Sequence, residues 1–289
     1  MTNKTHLFIL ITLLFVLSSQ TTLARCTPNK DLPLREVFLS VNCIDTKAFA
    51  KKIDKNKVII IDTRTKTEFD ILKIKGAINL DIDDKEFFTK EITALRGSNP
   101  SDIVFYCNGK RCNLSYRADT LAVKLGIKNT YVYDRGIFKF ATLEPQKVLL
   151  FNQKISADNK IISLEKHKKH LITLENFQQM IANDIETGET FKILDIRDKS
   201  SHNGSSAFVG VMHERYIPLS NITKLKKYLH RVAQQNATLY VYDWGGAKLK
   251  WVQYYIEQQG IDDYYLLQGG AFHKINKDLK KQGLPLLSL

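Results

Sequence analysis

The sequence is poor in the residues that mark non-globular proteins. Only 14 Gly and 6 Pro occur among 289 residues, which excludes a collagen-like or mostly disordered chain. Four Cys are too few for a disulfide scaffold. The composition, with 44% hydrophobic and 25% charged residues, also excludes a multi-span membrane protein. What remains is an ordinary globular chain, long enough for one large or two medium domains.

Acidic residues are in the minority. The chain has 30 Asp plus Glu against 43 Lys plus Arg, which gives a formal net charge of +13. Such a surplus predicts anionic partners. The basic residues are spread along the whole chain rather than gathered in one block, so we expect that the charge serves a small anion or only solubility, and no nucleic acid.

The N-terminal residues 1–24 have the layout of a secretory signal peptide. The apolar run at residues 7–17 is shorter than the roughly 20 residues that span a bilayer, so no stable membrane span is expected. Small residues before Arg25 predict cleavage after Ala24. A buried N-terminal helix or a retained interfacial anchor is the alternative for residues 1–24. Export predicts a periplasmic or secreted protein, in which Cys26 and Cys43 are available to pair.

The rest of the chain repeats one pattern twice. In each copy a buried apolar strand ends in Asp-x-Arg, at residues 58–64 and 192–197. A second apolar strand, a polar loop and an amphipathic helical stretch follow at residues 103–127 and 239–261. We therefore predict two domains, with bounds of 40–150 and 170–289, joined by a Lys-rich linker at 151–169.

Strands that alternate with helices predict the fold class. Each copy is expected to form an α/β domain with a parallel sheet flanked by helices on both faces. The short stretches around Phe49 and Phe177 are read as helical, with Ile44 and Ile172 inside them. In such folds the function lies at the carboxyl ends of the strands.

The first copy carries its chemistry in one loop, Cys107-Asn-Gly-Lys-Arg-Cys112. The loop lies between a buried strand and a helix, where backbone N–H groups converge and stabilise anions. Lys110 and Arg111 add positive charge, and Gly109 suits unusual backbone angles. The pattern predicts a Cys107 thiolate that is nucleophilic at neutral pH. Two ordinary core or disulfide cysteines are the alternative.

These motifs resemble the rhodanese domain, the sulfurtransferase fold. The resemblance covers most of residues 40–150 and is weakened where Leu72-Lys73 replaces the Gly-His of many rhodaneses. Residues 170–285 resemble the same fold less fully, so the whole chain is similar to tandem rhodaneses. The first copy matches through Asp62-x-Arg64-x-x-x-Glu68-Phe69, Gly76-Ala77-x-Asn79, the cysteine loop and Gly136, and the second through Asp195-x-Arg197, Ile217-Pro218, Asp243-Trp-Gly-Gly and Gln268-Gly269-Gly270.

The resemblance implies a sulfurtransferase that works in two steps. The Cys107 thiolate attacks the sulfane sulfur of a donor such as thiosulfate, sulfite leaves, and a Cys107 persulfide passes sulfur to a thiol or cyanide. No metal and no cofactor are required, and the partners are a small anionic donor and a thiol acceptor. The backbone N–H groups and charges of the loop hold the donor and the persulfide, through Asn108, Gly109, Lys110, Arg111 and Cys112.

The neighbouring polar residues are expected to have structural roles. Arg64 and Glu68 are predicted to form a buried pair that braces the first strand, and Ser115 and Arg117 to cap or face the helix after the loop. The second copy has Asp243 at the place of the cysteine, and its loop is expected to be two residues shorter. Because Asp cannot form a persulfide, the second domain is predicted to be catalytically silent.

Two other functions stay open for this sequence. A thiol redox protein would cycle Cys107 and Cys112 between dithiol and disulfide. A non-catalytic binding module would use the second domain for a partner. Within the sulfurtransferase hypothesis, Cys112 is either a resolving thiol that attacks the Cys107 persulfide or a small residue of the loop wall. The oligomeric state and the physiological donor and acceptor are not determined by the sequence.

Overall fold

The computed structural model describes residues 25–97, 99–157, 159–204, 206–208, 213–283 and 285. The predicted signal peptide at 1–24 lies outside the described residues. Among those that are described, no helix has the length and apolar character needed to cross a bilayer.

Helices and strands alternate along the chain. The helices are α1 (Thr46–Asp54), α2 (Lys66–Ile71), α3 (Lys85–Arg96), α4 (Leu114–Lys124), α5 (Gly136–Leu143), α6 (Leu164–His170), α7 (Leu174–Thr187), α8 (Lys199–His202), α9 (Ile222–Gln234), α10 (Leu249–Gln258) and α11 (Gly270–Lys281). The strands are β1 (Val58–Asp62), β2 (Leu72–Ile74), β3 (Ile78–Asn79), β4 (Asp102–Tyr106), β5 (Thr130–Tyr133), β6 (Val148–Leu150), β7 (Gln153–Lys154), β8 (Leu171–Ile172), β9 (Phe191–Asp195), β10 (Glu214–Tyr216), β11 (Thr238–Tyr242) and β12 (Tyr264–Leu267).

Two parallel sheets have the same construction. The first has the strand order β3-β1-β4-β5, and a parallel bridge from Cys43 to Val132 continues it beyond β5. The second has the order β10-β9-β11-β12-β8, in which β8 takes the place of that bridge. We call the parts built on these sheets the N-terminal half and the C-terminal half. The internal repeat in the sequence therefore corresponds to a repeated topology.

Helices cover both faces of each sheet, as predicted. In the N-terminal half, Ile61, Ile103 and Phe105 face α3 and α4, whereas Ile60 and Val104 face α1 and α5. This alternation follows from the two-residue period of a strand, and strands buried on both faces need continuous apolar runs. In the C-terminal half, α9 and α10 cover one face and α7 and α11 the other. The predicted α/β fold class is confirmed.

The two halves share one hydrophobic core. The α1 and α5 side of the first sheet and the α9 and α10 side of the second belong to a single cluster of buried residues. Trp251 of α10 lies in the middle of this contact, stacked on Phe138 of α5 with ring centroids 4.9 Å apart. A small antiparallel sheet of β2, β6 and β7 lies beside it and carries Leu150 into the same cluster.

Some boundaries differ from the sequence prediction. Ile44 and Ile172 precede α1 and α7 and lie at the sheet edges rather than inside helices. The segment 151–169, predicted as a linker, contributes β7 and most of α6 and buries Ile162 against α10. The domain bounds of 40–150 and 170–289 stay predictions.

The N-terminal segment is fastened to the first sheet. Cys26 and Cys43, which the sequence left open as a pair, form a disulfide with their Cα atoms 4.8 Å apart. Arg35 binds Asp134 at the end of β5 through two hydrogen bonds of 2.6 and 3.2 Å. The hydroxyl of Tyr116 donates to the same carboxylate at 2.8 Å. The segment is thus anchored both covalently and by a buried carboxylate.

Candidate active site

The cysteine loop occupies the position that the sequence predicts, at the carboxyl end of β4. Buried apolar side chains extend β4 up to Tyr106, and Cys107 is the first residue beyond the strand. The helix α4 then begins at Leu114 after Asn113, whose side chain makes no capping hydrogen bond. The first N–H groups of α4 therefore remain available for the sulfur atoms of the loop.

Gly136 holds the start of α5 against this loop. Its φ is +72°, and a Cβ at this position would lie 2.3 Å from the Cα of Gly109. The next residue, Ile137, donates its N–H to the carbonyl of Cys107 at 2.9 Å. Gly109 itself is not among the residues with positive φ, and a Cβ there would meet only Arg135 O at 3.7 Å. The unusual backbone angle expected at Gly109 is thus found at Gly136 instead.

Cys107 is completely buried. Its thiol donates to the carbonyl of Cys112, with Sγ and O 3.1 Å apart, and lies 3.4 Å from the hydroxyl oxygen of Ser115. Burial, reinforced by the contact with the Cys112 thiol, raises the pKa of Cys107 well above its usual value. This direction is opposite to the ionised Cys107 that the sequence predicts, because the sequence does not reveal how deeply the sulfur is desolvated.

Cys112 is the partly exposed thiol of the pair. Hydrogen bonding with the Cys107 thiol lowers its pKa to about 7, with further support from the backbone N–H groups of Leu114 and Asn108. Desolvation and the charge of Glu68 act in the opposite direction. The backbone N–H of Cys112 also donates to the carbonyl oxygen of Gly109 at 2.8 Å, which forms a turn within the loop. Of the two loop thiols, Cys112 is thus the one whose pKa is lowered.

The remaining loop residues divide into two kinds. Lys110 and Arg111 are exposed at the tip of the loop, where they add positive charge to its entrance. The side chain of Asn108 turns inward instead. It donates to Glu68 Oε1 at 2.7 Å and accepts from Arg64 Nη1 at 3.3 Å. Asn108 therefore braces the loop with its side chain and offers only its backbone N–H to the sulfur atoms.

The predicted buried pair of Arg64 and Glu68 is wrong. Arg64 is completely buried and pairs with Asp62, two residues earlier, through Nε at 2.8 Å and Nη2 at 2.5 Å. Although burial opposes its charge, Asp62 raises the pKa of Arg64, which stays protonated. Glu68 closes a capping box with Thr65 at the start of α2. The Asp-x-Arg motif thus forms its own ion pair.

Ser115 is a site residue that the sequence analysis placed only on the helix. Its hydroxyl contacts Cys107 Sγ, and its backbone N–H lowers the pKa of that thiol slightly against the larger effect of burial. The feature of the sequence that could have predicted this contact is the position of Ser115 in the first turn of the helix after the loop. Arg117 lies on the same helix, and its side chain pairs with Asp83 at 2.8 Å.

The equivalent loop of the C-terminal half is filled by its own side chain. Asp243 follows β11 as Cys107 follows β4, and its carboxylate accepts the backbone N–H groups of Gly246 at 2.5 Å and Lys248 at 2.7 Å. These donors are thus occupied by the loop's own carboxyl group. The helix α10 begins six residues after Asp243, whereas α4 begins seven after Cys107. The loop of the C-terminal half is therefore one residue shorter than that of the N-terminal half, and not two as expected. The second residue of the difference lies in the helix.

A metal centre has no support in the residues that the structure describes. No group of three or more His, Cys, Asp or Glu side chains within them is arranged to hold a metal ion. The chemistry that the loop offers is that of two free thiols in one loop, of which Cys107 donates to the backbone carbonyl of Cys112.

Comparison with known proteins identifies the fold around this loop. Residues 45–143 match the sequence profile of the rhodanese-like domain. The tRNA uridine(34) hydroxylase of Pelagibacter ubique is 29% identical over 122 residues, which are 42% of this chain and 39% of that protein. The chain therefore spans about two fifths of the length of this relative.

Solved structures with weak similarity include two that differ in length. A thiosulfate sulfurtransferase from Pseudomonas aeruginosa is 17% identical, with 82% of this chain and 44% of that chain covered and a TM-score of 0.35. A protein from Bacillus halodurans is 21% identical, with 46% of this chain and 93% of that chain covered and a TM-score of 0.35. Residues 45–143 of this chain are similar to the rhodanese-like domain, and the loop of Cys107 and Cys112 lies within the matched residues.

Proposed function

We propose that this protein is a sulfurtransferase that moves sulfane sulfur from thiosulfate or a similar anionic donor to a thiol or cyanide acceptor. The observation that carries the proposal is the loop between β4 and α4, in which two free thiols meet the uncapped N-terminus of a helix. A persulfide on one of these cysteines is the intermediate. The match of residues 45–143 to the rhodanese-like domain supports the same chemistry.

The loop supplies what such a reaction needs from the protein. Sulfite and a persulfide are anions, and the backbone N–H groups of Asn108 and Leu114 help to lower the pKa of Cys112, as donors that stabilise a negative charge do. Lys110 and Arg111 lie at the exposed tip, where they attract a doubly charged donor. No resident metal or organic cofactor takes part in the proposed reaction.

The test is to treat the full chain with thiosulfate and measure sulfite release and the mass of the protein. We expect one sulfur atom to be added, and cyanide to remove it as thiocyanate. The matched control is the variant in which Cys107 and Cys112 are both replaced by Ser. If that variant turns over thiosulfate, the nucleophile lies elsewhere and the proposed site is wrong.

The C-terminal half is proposed to contribute packing and no sulfur chemistry. Asp243 occupies its own N–H donors, which leaves none of them for an external anion. Since the two halves share one core, the full chain without the loop thiols is the suitable test, rather than an isolated half. The double Ser variant must therefore have no residual sulfurtransferase activity.

A thiol–disulfide oxidoreductase is the second candidate function. It is favoured by two free thiols in one loop, of which Cys107 is buried and donates to the Cys112 carbonyl, whereas Cys112 is partly exposed. Reduction of insulin disulfides in the absence of any sulfur donor is the distinguishing assay. Catalysis there at a higher rate than sulfur transfer would favour this second candidate.

Export to the periplasm or the cell exterior is proposed with this function. The disulfide of Cys26 and Cys43 supports an oxidising compartment. N-terminal sequencing of protein from its native source is the test, with a mature chain that starts near Arg25 as the expected result. A chain with Met1 intact would contradict cleavage of a signal peptide.

A further inference from the structure

The N-terminal segment, residues 26–43, contacts the elements that hold the cysteine loop, although it precedes the matched residues 45–143. We propose that Arg35 and Asp134 are positioning residues for Cys107, and that the disulfide of this segment keeps Arg35 in place. The inference rests on the proposed function, with Cys107 as the cysteine that takes up sulfur. It makes sulfur transfer depend on a part of the chain outside the rhodanese-like match.

Asp134 joins the two elements that contact Cys107. It follows β5 and lies three residues before Ile137, whose N–H donates to the carbonyl of Cys107 at 2.9 Å. Its carboxylate accepts from the hydroxyl of Tyr116 in α4 at 2.8 Å. Tyr116 in turn follows Ser115, whose hydroxyl oxygen lies 3.4 Å from the sulfur of Cys107. One buried carboxylate therefore links the contacts that hold the backbone and the sulfur of Cys107.

Arg35 is the charge partner of this buried carboxylate. Its Nε and Nη2 donate to the two oxygens of Asp134 at 2.6 and 3.2 Å. The side chain of Arg35 is 13% exposed and that of Asp134 only 2%, so water solvates the pair poorly. A carboxylate that loses its cation at such a depth is strongly disfavoured. Without Arg35 it must take up a proton or turn towards water, and either change displaces the elements that hold Cys107.

The disulfide lies next to this ion pair. The sulfur of Cys43 is 3.6 Å from Oδ2 of Asp134, and its partner Cys26 is buried. The two cysteines are only 17 residues apart in the sequence, with Arg35 between them. Arg35 therefore cannot move far from Asp134 while the disulfide persists. Without the disulfide, only packing and hydrogen bonds keep Arg35 beside the carboxylate.

The experiment compares Arg35→Met with a matched control in the full chain. The control is Lys147→Met, because the Lys147 side chain is 15% exposed and pairs with Asp54 at the C-terminal end of α1. We expect Arg35→Met to lower kcat for sulfite release from thiosulfate by at least about tenfold, since small displacements of reacting groups slow a reaction strongly. The KM for thiosulfate should stay within about twofold, because the exposed cations of the loop tip are not contacts of Arg35. Lys147→Met should keep both constants within about twofold.

The reactivity of Cys107 is also measured without a sulfur donor. Trypsin cuts after Lys110 and Arg111, so Cys107 and Cys112 fall in different peptides and iodoacetamide labelling of each is resolved. Cys107 has no exposed surface in the native protein. We expect Arg35→Met to label Cys107 at least about fivefold faster, because displacement of the loop opens access to its sulfur.

Two double variants test the route from the segment to the loop. Arg35→Met with Asp134→Asn also removes the unpaired negative charge, so its kcat should exceed that of Arg35→Met by at least about threefold. Replacement of Cys26 and Cys43 by Ser should lower kcat and speed the labelling of Cys107 in the same direction as Arg35→Met. This second variant carries the test if Arg35→Met does not fold.

The outcomes distinguish this inference from the proposed function. A folded Arg35→Met with the kcat and the Cys107 labelling of wild type overturns the positioning role while sulfur transfer stands. An equal loss of kcat in Lys147→Met overturns it as well, because the loss then reflects stability alone. A wild type that takes up no sulfur overturns the proposed function, and the labelling rates still decide whether Arg35 positions Cys107.

Discussion

At the scale of single residues, the unusual groups of this protein are buried and lie on or beside α4. Cys107 and Asp119 are both desolvated, and desolvation disfavours the charged form of either group. The cysteine has a neighbouring thiol that takes the negative charge in its place. The aspartate has one oxygen, Oδ1, without a hydrogen-bond partner among the described residues. Each arrangement gives a pH-dependent property that a measurement can test.

We predict that alkylation of Cys112 follows a pKa of about 7. In Cys107→Ala that midpoint is expected to rise towards the ordinary value of about 8.5, because the variant removes the neighbouring thiol that stabilises the Cys112 thiolate. The groups that act on Cys112 are then the N–H groups of its loop and Glu68. Rates of iodoacetamide labelling against pH, resolved by peptide, measure both midpoints. Equal midpoints in the two proteins would contradict the hydrogen bonding between the thiols.

Asp119 is predicted to make stability fall as the pH rises. Burial raises its pKa to about 6, so the folded protein binds a proton that the unfolded chain releases near pH 4. As the pH rises from about 4 to about 6, the free energy of unfolding of wild type should fall by up to about 3 kcal/mol relative to that of Asp119→Asn, since one pKa unit corresponds to about 1.4 kcal/mol. Urea unfolding of both proteins at several pH values measures this difference, and parallel pH profiles would contradict it.

At the scale of elements, the shape of the cysteine loop depends on how closely α5 approaches it. A strand, a loop and a helix recur in both halves, and each time a glycine with positive φ starts the next helix against the loop. In the N-terminal half this is Gly136 against Gly109, and in the C-terminal half Gly270 against Asp243 and Trp244. A side chain at either glycine would collide with backbone, which cannot move aside as the end of a flexible side chain can.

Gly136→Ala is predicted to destabilise the protein more than Gly126→Ala does. Both glycines have positive φ, so both variants carry the backbone strain of about 1 kcal/mol. Only Gly136 has backbone within reach of a new Cβ, which adds about 1–3 kcal/mol, whereas nothing lies within 4 Å at Gly126. The free energy of unfolding of the two variants gives the comparison directly. Equal losses would mean that α5 moves away from the loop without cost.

At the scale of the whole molecule, the two halves are joined through a hydrophobic core rather than by a flexible linker. Trp251 is at the centre of this contact. Its ring stacks on Phe138 and lies 5.2 Å from the guanidinium of Arg64, which in turn hydrogen-bonds Asn108 of the cysteine loop. The C-terminal half therefore contacts Arg64, which supports the cysteine loop, although its own loop is closed by Asp243.

We predict that the protein unfolds in a single calorimetric transition and that Trp251→Ala divides it into two. Loss of a buried tryptophan costs about 3–5 kcal/mol, and here the loss falls on the contact between the halves. The matched control is Trp244→Ala, because Trp244 packs on Phe272 within the C-terminal half. That variant should lower the melting temperature without dividing the transition. Two transitions in wild type would contradict a shared cooperative core.

Much of this organisation is determined by local sequence. The continuous apolar runs at residues 58–62 and 102–106 and the glycines that follow the helices predict strands, helices and a parallel sheet, because each signal depends on neighbours in the chain. The same local reasoning places the cysteine loop at a strand end. The edge strand at Ile172 was missed, since a two-residue strand has too few positions to show a period.

The tertiary structure alone decided which groups act on one another. Arg64 pairs with Asp62 rather than Glu68. Packing in the core sets the direction in which the long Arg64 side chain extends, and that direction decides its partner. The protonation of the two loop thiols is decided in the same way. Cys107 and Cys112 both follow a strand and precede a helix, yet desolvation falls mainly on Cys107 and the converging N–H groups on Cys112. Spacing along the chain brings two thiols to one loop, and only the depth of each sulfur determines which carries the charge.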